Sequence, residues 1–381
     1  MKRSTDRILT THVGSLPRSD DTCVMLIAKQ KGEWKDLQTL DKRVTDDVKA
    51  VVRKQLDAGV DVVSDGEAGK IGYATYIYER ATGFEGDSPR VVPKDLQMYP
   101  RYMKKIAEAG ETSRIVRPVC VGPIQLKSLD PVKQDIANLK AALAVSPAVE
   151  GFLNAASPGV VAVFLPNRHY RSYEAYLEAL ADTLRQEYEA ITQAGLVLQI
   201  DCPDLAMGRH FRYSDASDAE FVRIAEQNIE ALNHALARVP AEQVRIHLCW
   251  GNYEGPHICD IPVERILPTV FKAKVQGISV EASNPRHAHE WRAFKEARIP
   301  DDKVLLPGVI DSVSNFVEHP ELVAERIGRF ADIVGRERVI ASTDCGFGTF
   351  PGMGKVDPDI VYAKLRTMAE GAALASRRLW G

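Results

Sequence analysis

Short runs of consecutive apolar and β-branched residues recur along the chain, and most of them end in Gly, Pro or Asp, which predicts buried β-strands. The runs cover residues 9–14, 61–66, 116–121, 160–165, 196–201, 244–249, 277–282, 303–309 and 338–344. Between most of them lie segments with apolar residues at helical spacing, such as 173–195, which ends at Gly195. Buried strands that alternate with amphipathic helices predict a parallel sheet covered by helices on both faces.

Nine strands are one more than an eight-stranded barrel holds. The run at 160–165 fits least well, because the chain around 140–170 resembles an irregular excursion. A long polar insertion at 83–112 separates the second and third strands and predicts a lid over the barrel mouth. We therefore predict an α/β fold in which residues 1–381 form a single (β/α)8 TIM barrel with elaborated loops.

The composition limits the classes of molecule that this barrel is expected to bind. The chain has 45% hydrophobic and 27% charged residues, as globular proteins do. Its 49 Lys and Arg against 52 Asp and Glu give a net charge of −3, so there is no general positive charge for nucleic acid. No apolar run approaches the ~20 residues of a membrane span, and no secretory signal is visible. We expect a cytoplasmic protein that binds small molecules, and a homo-oligomer is compatible with the sequence.

Ionisable or metal-binding side chains lie at the ends of nearly all the predicted strands. In a parallel barrel, the C-terminal strand ends and the loops after them build the active site. Polar groups are costly to bury there unless they have a function. The residues at these positions are His12, Asp65, Glu67, Asp201, His247, Cys249, Glu281, Asp311, Asp344 and Cys345.

Four of these residues form a candidate metal site. His247 and Cys249 are two residues apart on one strand and point to the same face. Glu281 and Cys345 end two other strands, so all four side chains can converge on one point. This mixture of nitrogen, sulfur and oxygen donors suits Zn²⁺. The alternative is that both cysteines are small buried hydrophobic residues and the histidine is a hydrogen-bonded core residue.

With these residues in place, the chain resembles the catalytic barrel of the cobalamin-independent methionine synthase family. The similarity lies in the order and spacing of several blocks along almost the whole chain. The blocks are TTHVGSLPRS at 10–19, SDGEAGKIGYATYIYE at 64–79, RPVCVGPIQL at 117–126, LQIDCPDLA at 198–206, IHLCW at 246–250, ISVEAS at 278–283 and STDCGF at 342–347.

The resemblance implies a zinc-dependent thiol S-alkyltransferase, in which a zinc-bound substrate thiolate attacks a methyl donor. It implies one Zn²⁺ per chain. The implied ligands are His247, Cys249, Glu281 and Cys345. Glu67 and Asp201 match carboxylates that hold the amino group of homocysteine, and Gly14 with Ser15 matches the turn that binds its carboxylate.

The chain also departs from the family. A histidine that helps to protonate the leaving group corresponds to Val313 here, and a tryptophan of the folate site falls near Leu129. The resemblance therefore does not extend to folate as the methyl donor. The proton donor must then be another group, for which Asp311 is the first candidate, with Tyr73 and Tyr76 after it.

Two other enzyme reactions and one binding role stay open. Epoxyalkane:coenzyme M transferase uses the same barrel and needs cations for a sulfonate; Arg18, Lys70, Arg117 and Arg168 are candidates, although exposed surface charges are the simpler interpretation. A metal-free decarboxylase of the uroporphyrinogen decarboxylase type needs several arginines near the first strand, where the chain offers Arg18. A non-catalytic metal-binding protein is the third alternative. Glu67 and Asp201 favour a homocysteine-like thiol.

Overall fold

A barrel of parallel strands forms the centre of the protein in a computed structural model, which describes residues 1–108 and 115–381. The strands are β1 (Leu9–Thr10), β2 (Val62–Ser64), β3 (Phe84–Glu85), β4 (Val119–Cys120), β5 (Glu150–Ala156), β6 (Val197–Asp201), β7 (Val244–His247), β8 (Gly277–Val280), β9 (Val304–Ile310) and β10 (Ile340–Thr343). Eight of them pair in the order β1-β10-β9-β8-β7-β6-β5-β2, and all the pairs are parallel. The predicted (β/α)8 fold is confirmed.

Helices follow the strands and cover the outside of the barrel. They are α1 (Asp20–Gln30), α2 (Leu37–Asp57), α3 (Ile77–Arg80), α4 (Lys94–Gln97), α5 (Pro100–Glu108), α6 (Asp130–Val145), α7 (Pro158–Phe164), α8 (Tyr173–Gln193), α9 (Gly208–Phe211), α10 (Asp218–Ala235), α11 (Val263–Val270), α12 (Trp291–Glu296), α13 (Pro320–Val334) and α14 (Pro358–Trp380). Over the residues that the structure describes, none of these helices is both long and apolar enough to cross a bilayer.

Two predicted barrel strands are wrong. Residues 160–165 lie mostly in α7, which begins after the N-cap Ser157 and carries Pro158 in its first turn. Every residue of α7 is buried, so no polar face reveals its helical period. The run at 116–121 contributes β4, which pairs antiparallel with β3 outside the barrel.

The eighth barrel strand is β5, inside the segment around 140–170 that we expected to be irregular. Its sequence, EGFLNAA, has no β-branched residue and contains Gly and Asn, which are rare in strands. Pairing with β2 and β6 over its length nevertheless stabilises it as a strand. The expectation of an irregular excursion is therefore wrong for residues 150–156 and 158–164.

The predicted insertion at 83–112 contains β3, α4 and α5, and its residues 109–112 lie outside the described part of the chain. Val91, Pro93 and Leu96 line the cavity at the barrel mouth. The insertion therefore forms part of the wall of the site.

The barrel closes between β1 and β2 mainly through side chains. The Asp61 carboxylate accepts hydrogen bonds from the Thr10 backbone N–H at 2.9 Å and from its hydroxyl at 3.0 Å. The Thr11 hydroxyl donates to the Val62 carbonyl at 3.0 Å, and the Asp61 N–H donates to the Thr10 carbonyl at 3.2 Å. We call this junction the β1–β2 seam.

A buried arginine fixes the strands beneath the site. Arg245 on β7 is 1% exposed and donates to Gln199 Oε1 on β6 at 2.7 Å. It also donates to the Thr11 hydroxyl and to the His12 carbonyl, both at 3.0 Å. Its guanidinium lies 3.9 Å from the centre of the Phe152 ring. Strands β1, β5, β6 and β7 are thereby fixed to one another below the functional side chains.

Candidate functional site

The structure brings three of the four predicted metal ligands together at the C-terminal end of the barrel. One donor atom from each of His247, Cys249 and Cys345 lies within 4.8 Å of the other two. The two Sγ atoms are 3.7 Å apart. His247 ends β7, Cys249 follows it by two residues, and Cys345 follows β10, as the strand pattern predicted.

The imidazole of His247 is buried without a hydrogen bond. It is 2% exposed, and neither Nδ1 nor Nε2 has a hydrogen-bond partner among the described residues. Burial, with a smaller effect of the Arg245 charge, lowers the pKa of His247 to about 3, so the ring is neutral at pH 7. A neutral, unpartnered imidazole beside two thiols is the donor set that a Zn²⁺ site requires.

Glu281 lies beside this group and is held by its own neighbours. Its carboxylate accepts hydrogen bonds from the Trp250 N–H and from Asn284 Nδ2, both at 2.8 Å. Burial and the nearby Cys249 raise its pKa well above the usual range. The acidic groups of Glu281, Cys249 and Cys345 lie close together here, and a bound cation would favour their ionised forms.

The predicted thiol-binding residues meet on the neighbouring wall, where Asp201 on β6 pairs in register with His247 on β7. Gly14, Ser15, Glu67 and Asp201 all follow or end strands at the same end of the barrel, and the last three line one cavity with the metal cluster. Gly14 has φ +145°, and a Cβ added there would lie 2.4 Å from the side chain of Asn154. This position therefore requires glycine.

The two carboxylates on this wall are acids of raised pKa. Burial and the charge of Asp201 raise the pKa of Glu67 to about 7, and burial raises that of Asp201 to about 6. Asn154 Nδ2 donates to Asp201 Oδ2 at 3.1 Å. Glu67 Oε2 is buried without a partner in the described chain, and Glu67 itself has φ +56°. Such a strained, unsatisfied carboxylate indicates a binding position for a cation.

The cavity above these groups measures about 270 Å³ and is lined largely by hydrocarbon. Its aromatic wall contains Tyr73, Phe164, Phe211 and Phe350, whose ring centres lie 5.5–5.9 Å apart in contacting pairs. The other apolar residues that line it are Val13, Val91, Pro93, Leu96, Ile106, Pro203, Met207, Phe347 and Met353. The metal cluster and the carboxylate pair therefore open into a chamber suited to an apolar group.

The predicted proton donors lie in different surroundings. Asp311 accepts hydrogen bonds from the backbone N–H groups of Val313 and Ser314 at 3.1 and 2.9 Å, and it is not among the residues that line the cavity. Tyr76 donates to Glu187 Oε1 at 3.0 Å, away from the metal cluster. Tyr73 does line the cavity. The catalytic role of Asp311 stays a prediction.

Hydrogen bonds hold the ring of His12 in place within the barrel. Its Nδ1 accepts from the Gly14 N–H at 3.2 Å, and its Nε2 lies 2.7 Å from Gln55 Oε1.

Of the four candidate cations, one is a surface residue. Arg168 is exposed, whereas Lys70 is 4% exposed and donates to the Asn154 carbonyl. Arg18 donates to the backbone carbonyls of Glu67, Lys70 and Gly348 and so fixes the loop that carries Glu67. Arg117 lines the cavity. The expectation of exposed surface charges is wrong for Arg18, Lys70 and Arg117, because strand ends and loops fold them inward.

A second buried polar cluster supports the loop behind the metal site, and sequence reasoning missed it. Asp260 Oδ2 lies 3.0 Å from His257 Nδ1 and 2.9 Å from His287 Nε2. These are hydrogen-bond distances. The His287 ring stacks on Trp250 with centres 4.3 Å apart. The residues lie in loops rather than at strand ends, so no periodic pattern marks them.

The chain is similar to known proteins over almost its whole length. Residues 8–92 and 109–373 match the family described as "Cobalamin-independent synthase, Catalytic domain". A methionine synthase of Saccharolobus solfataricus is 26% identical over 373 residues, which are 97% of this chain and 95% of the relative. A methionine synthase of Sulfolobus acidocaldarius is 24% identical over 97% of this chain and 93% of its own.

Solved structures share the fold. A B12-independent methionine synthase from Shewanella sp. W3-18-1, in complex with selenomethionine, superposes with a TM-score of 0.71 at 19% identity, covering 98% of this chain and 99% of its own. A vitamin-B12-independent methionine synthase homologue from Listeria monocytogenes has a TM-score of 0.64 at 20% identity, with coverage of 98% and 99%.

Proposed function

The chain belongs to the family of cobalamin-independent synthase catalytic domains, and from this we propose that it is a zinc-dependent thiol S-methyltransferase acting on a homocysteine-like thiol. The observation that carries the proposal is the convergence of His247, Cys249 and Cys345, in which the buried imidazole has no partner among the described residues. The relatives named methionine synthase, which span almost the whole chain, support the same reaction class.

His247, Cys249 and Cys345 would hold the zinc ion, with Glu281 as the fourth ligand. Bound zinc would lower the pKa of the substrate thiol, so that the sulfur is a thiolate at neutral pH. Each oxygen of the Glu281 carboxylate accepts one hydrogen bond, from Trp250 or from Asn284, and keeps a second lone pair that could bind the ion. Oxygen is the weakest donor of the set, so this carboxylate is the ligand that we expect to exchange most readily.

The remaining residues position the substrates. The carboxylates of Glu67 and Asp201 bind the ammonium group of the thiol substrate, which supplies the partner that Glu67 Oε2 lacks within the described residues. Gly14 lets the chain pass close to Asn154, whose amide keeps Asp201 in place. The apolar cavity holds the methyl donor in line with the sulfur and excludes water from the thiolate.

Metal analysis tests this proposal. We expect about one zinc per wild-type chain, and we expect loss of zinc in Cys345→Ala. Cys120→Ala is the matched control, because Cys120 is fully buried but lies in β4, outside the cluster. Zinc-edge absorption should then report a new zinc–sulfur bond when homocysteine is added. Carefully purified wild-type protein without zinc would overturn the ligand assignment.

The second candidate is opening of an epoxide by coenzyme M. One observation favours it, because the guanidinium of Arg117 lines the cavity and could bind a sulfonate. The Glu67 and Asp201 pair opposes it, since two carboxylates would repel an anionic thiol. A zinc–sulfur bond that forms with coenzyme M and not with homocysteine would favour this reaction.

A further inference from the structure

Arg117 is a cation that lines a mostly apolar chamber. Within the described residues its guanidinium has no hydrogen-bond or ion-pair partner, and its Nε atom is buried. Burial lowers the pKa of Arg117 to about 10, which still leaves it charged at pH 7. A largely buried unpaired charge is costly, so this arrangement indicates a missing anion.

The carboxylate of Asp87, whose charge acts on Arg117, already accepts other hydrogen bonds. Asp87 accepts hydrogen bonds from Arg90 Nη1 and from the Arg117 backbone N–H, both at 2.8 Å. The Ser88 N–H also donates to the Arg117 carbonyl at 2.8 Å. This hydrogen bond and the one from the Arg117 N–H to Asp87 fix the backbone of Arg117. The side chain is therefore presented to the cavity from a fixed position.

The surroundings of the guanidinium are aromatic. It lies 4.9 Å from the centre of the Phe164 ring, and Phe164 contacts Tyr73 and Phe211 edge-on or tilted at 5.7 and 5.5 Å. Phe350 contacts Tyr73 from the other side at 5.9 Å. A flat ring placed among these side chains gains stacking and edge contacts that an aliphatic ligand does not.

We propose that the cavity binds an aromatic methyl donor that carries an acidic group, with the acid on Arg117 and the ring among Tyr73, Phe164 and Phe350. The planar guanidinium suits a carboxylate, which it can bind through two parallel hydrogen bonds. A cationic donor such as a sulfonium or a quaternary amine does not fit, because Arg117 would repel it. This inference rests on the proposed methyl transfer for the role of its ligand as donor.

The chemistry balances without an oxidant or a reductant. The substrate thiolate forms a carbon–sulfur bond to the methyl carbon of the donor, and the bond from that carbon to an aromatic oxygen breaks. The electron pair of the broken bond leaves on the oxygen as a phenolate, which then takes a proton from water. The products are a methyl thioether and a hydroxylated aromatic acid.

Binding of defined probes to the metal-loaded full-length protein tests the inference by calorimetry. The probes are 4-methoxybenzoate, its neutral methyl ester and the saturated anion 4-methoxycyclohexanecarboxylate. We expect wild-type protein to bind 4-methoxybenzoate about tenfold or more tightly than either analogue. Arg117→Gln should abolish the preference for acid over ester, Arg117→Lys should keep part of it, and Arg168→Gln, at an exposed arginine, should change nothing.

Equal affinity of wild-type protein for the acid and the ester would overturn the inference, as would an Arg117→Gln variant that keeps its zinc and its preference for the acid. An equal affinity for the saturated anion would overturn the aromatic part. If Arg117→Gln instead weakens binding of 2-mercaptoethanesulfonate and leaves 4-methoxybenzoate unaffected, the anion belongs to the thiol and the inference is wrong.

The same experiments give a different result if the inferred anion site is correct but the proposed methyl transfer to homocysteine is not. Arg117-dependent binding of 4-methoxybenzoate in a protein that forms no zinc–sulfur bond with homocysteine would support the anion site and refute the methyl acceptor. Transfer of the methyl group from labelled 4-methoxybenzoate to homocysteine would support both.

Discussion

The carboxylate of Asp344, the residue before Cys345, binds the backbone at Ala282, the residue after Glu281. Asp344 Oδ1 accepts hydrogen bonds from the N–H groups of Ala282 and Ser283 at 2.9 and 3.0 Å, and Oδ2 accepts from the Asn284 N–H at 2.8 Å. One buried side chain thus fixes the distance between two strand ends that carry predicted ligands.

Asp344→Asn should loosen this connection, because the amide would place N–H donors against the N–H groups of the Glu281 loop. We expect a loss of about 1–3 kcal/mol in the free energy of unfolding. We also expect roughly 10–100-fold weaker metal binding, as for other residues that support metal ligands. Urea unfolding and competition with a chelator measure the two effects. Asp57→Asn, at an exposed carboxylate, should change neither.

Gly14→Ala should damage the thiol-binding wall through Asn154. The added Cβ meets that side chain at 2.4 Å, so either the β1 loop or the amide that holds Asp201 must move. The matched control is Gly32→Ala, where φ is also positive at +75° but nothing lies within 4 Å of the new Cβ. We expect a cost of about 1 kcal/mol for the control, from backbone strain alone, and a larger cost with weaker homocysteine binding for Gly14→Ala. Equal unfolding midpoints would contradict the close packing.

Glu67→Gln should weaken homocysteine binding by about tenfold or more, because it removes a charged partner of the amino group. Binding of 4-mercaptobutanoate, which lacks that amino group, should hardly change. The affinity for homocysteine should also decrease as the pH falls. Since the pKa of Glu67 is raised to about 7, its ionised fraction falls as the pH drops through 7, and homocysteine affinity should fall with it. Calorimetric titrations of both thiols from pH 5.5 to about 8 decide whether the amine is recognised here.

His287→Gln should change how stability depends on pH. Burial alone would lower the pKa of His287, but the hydrogen bonds to Asp260 and Glu290 outweigh it and raise the pKa to about 10. A raised pKa in the folded state stabilises the fold fully below the unfolded value of about 6.5, and this contribution is lost as the pH rises towards 10. The difference in unfolding free energy between wild type and His287→Gln should therefore shrink over that interval. A difference that stays constant from pH 6 to about 10 would show that the imidazole is uncharged in the folded protein.

The strand ends were the most predictable part of the molecule. Seven predicted strands are barrel strands, because parallel strands buried on both faces leave continuous apolar runs in the sequence. The same rule places His247, Cys249 and Cys345 together, since the carboxyl ends of parallel strands meet at one end of a barrel.

Each failure has an identifiable physical origin. Strand β5 was missed because EGFLNAA lacks a β signal, and α7 was mistaken for a strand because every one of its residues is buried. Missing β5 also hid Asn154, the side chain that holds Asp201. Arg117 could not be distinguished from the other three candidate cations for a different reason. A loop outside the barrel turns it into the cavity, and the local sequence does not predict the direction of that turn.

Two parts of the site differ in how their supporting strands are held. At the β1–β2 seam the strands are joined mainly by side chains, whereas elsewhere they are joined by backbone hydrogen bonds. The candidate metal ligands end or follow strands β7, β8 and β10, which are paired with both neighbours in the hydrogen-bonded sheet. Gly14, Ser15 and Glu67 follow the two strands on either side of the seam, where Asp61 and Thr11 side chains replace most of the ladder. Amide exchange should therefore be faster around the seam than around the metal cluster. The loops that carry the proposed thiol-binding residues Gly14, Ser15 and Glu67 should therefore move more readily than the strand ends that carry the candidate metal ligands.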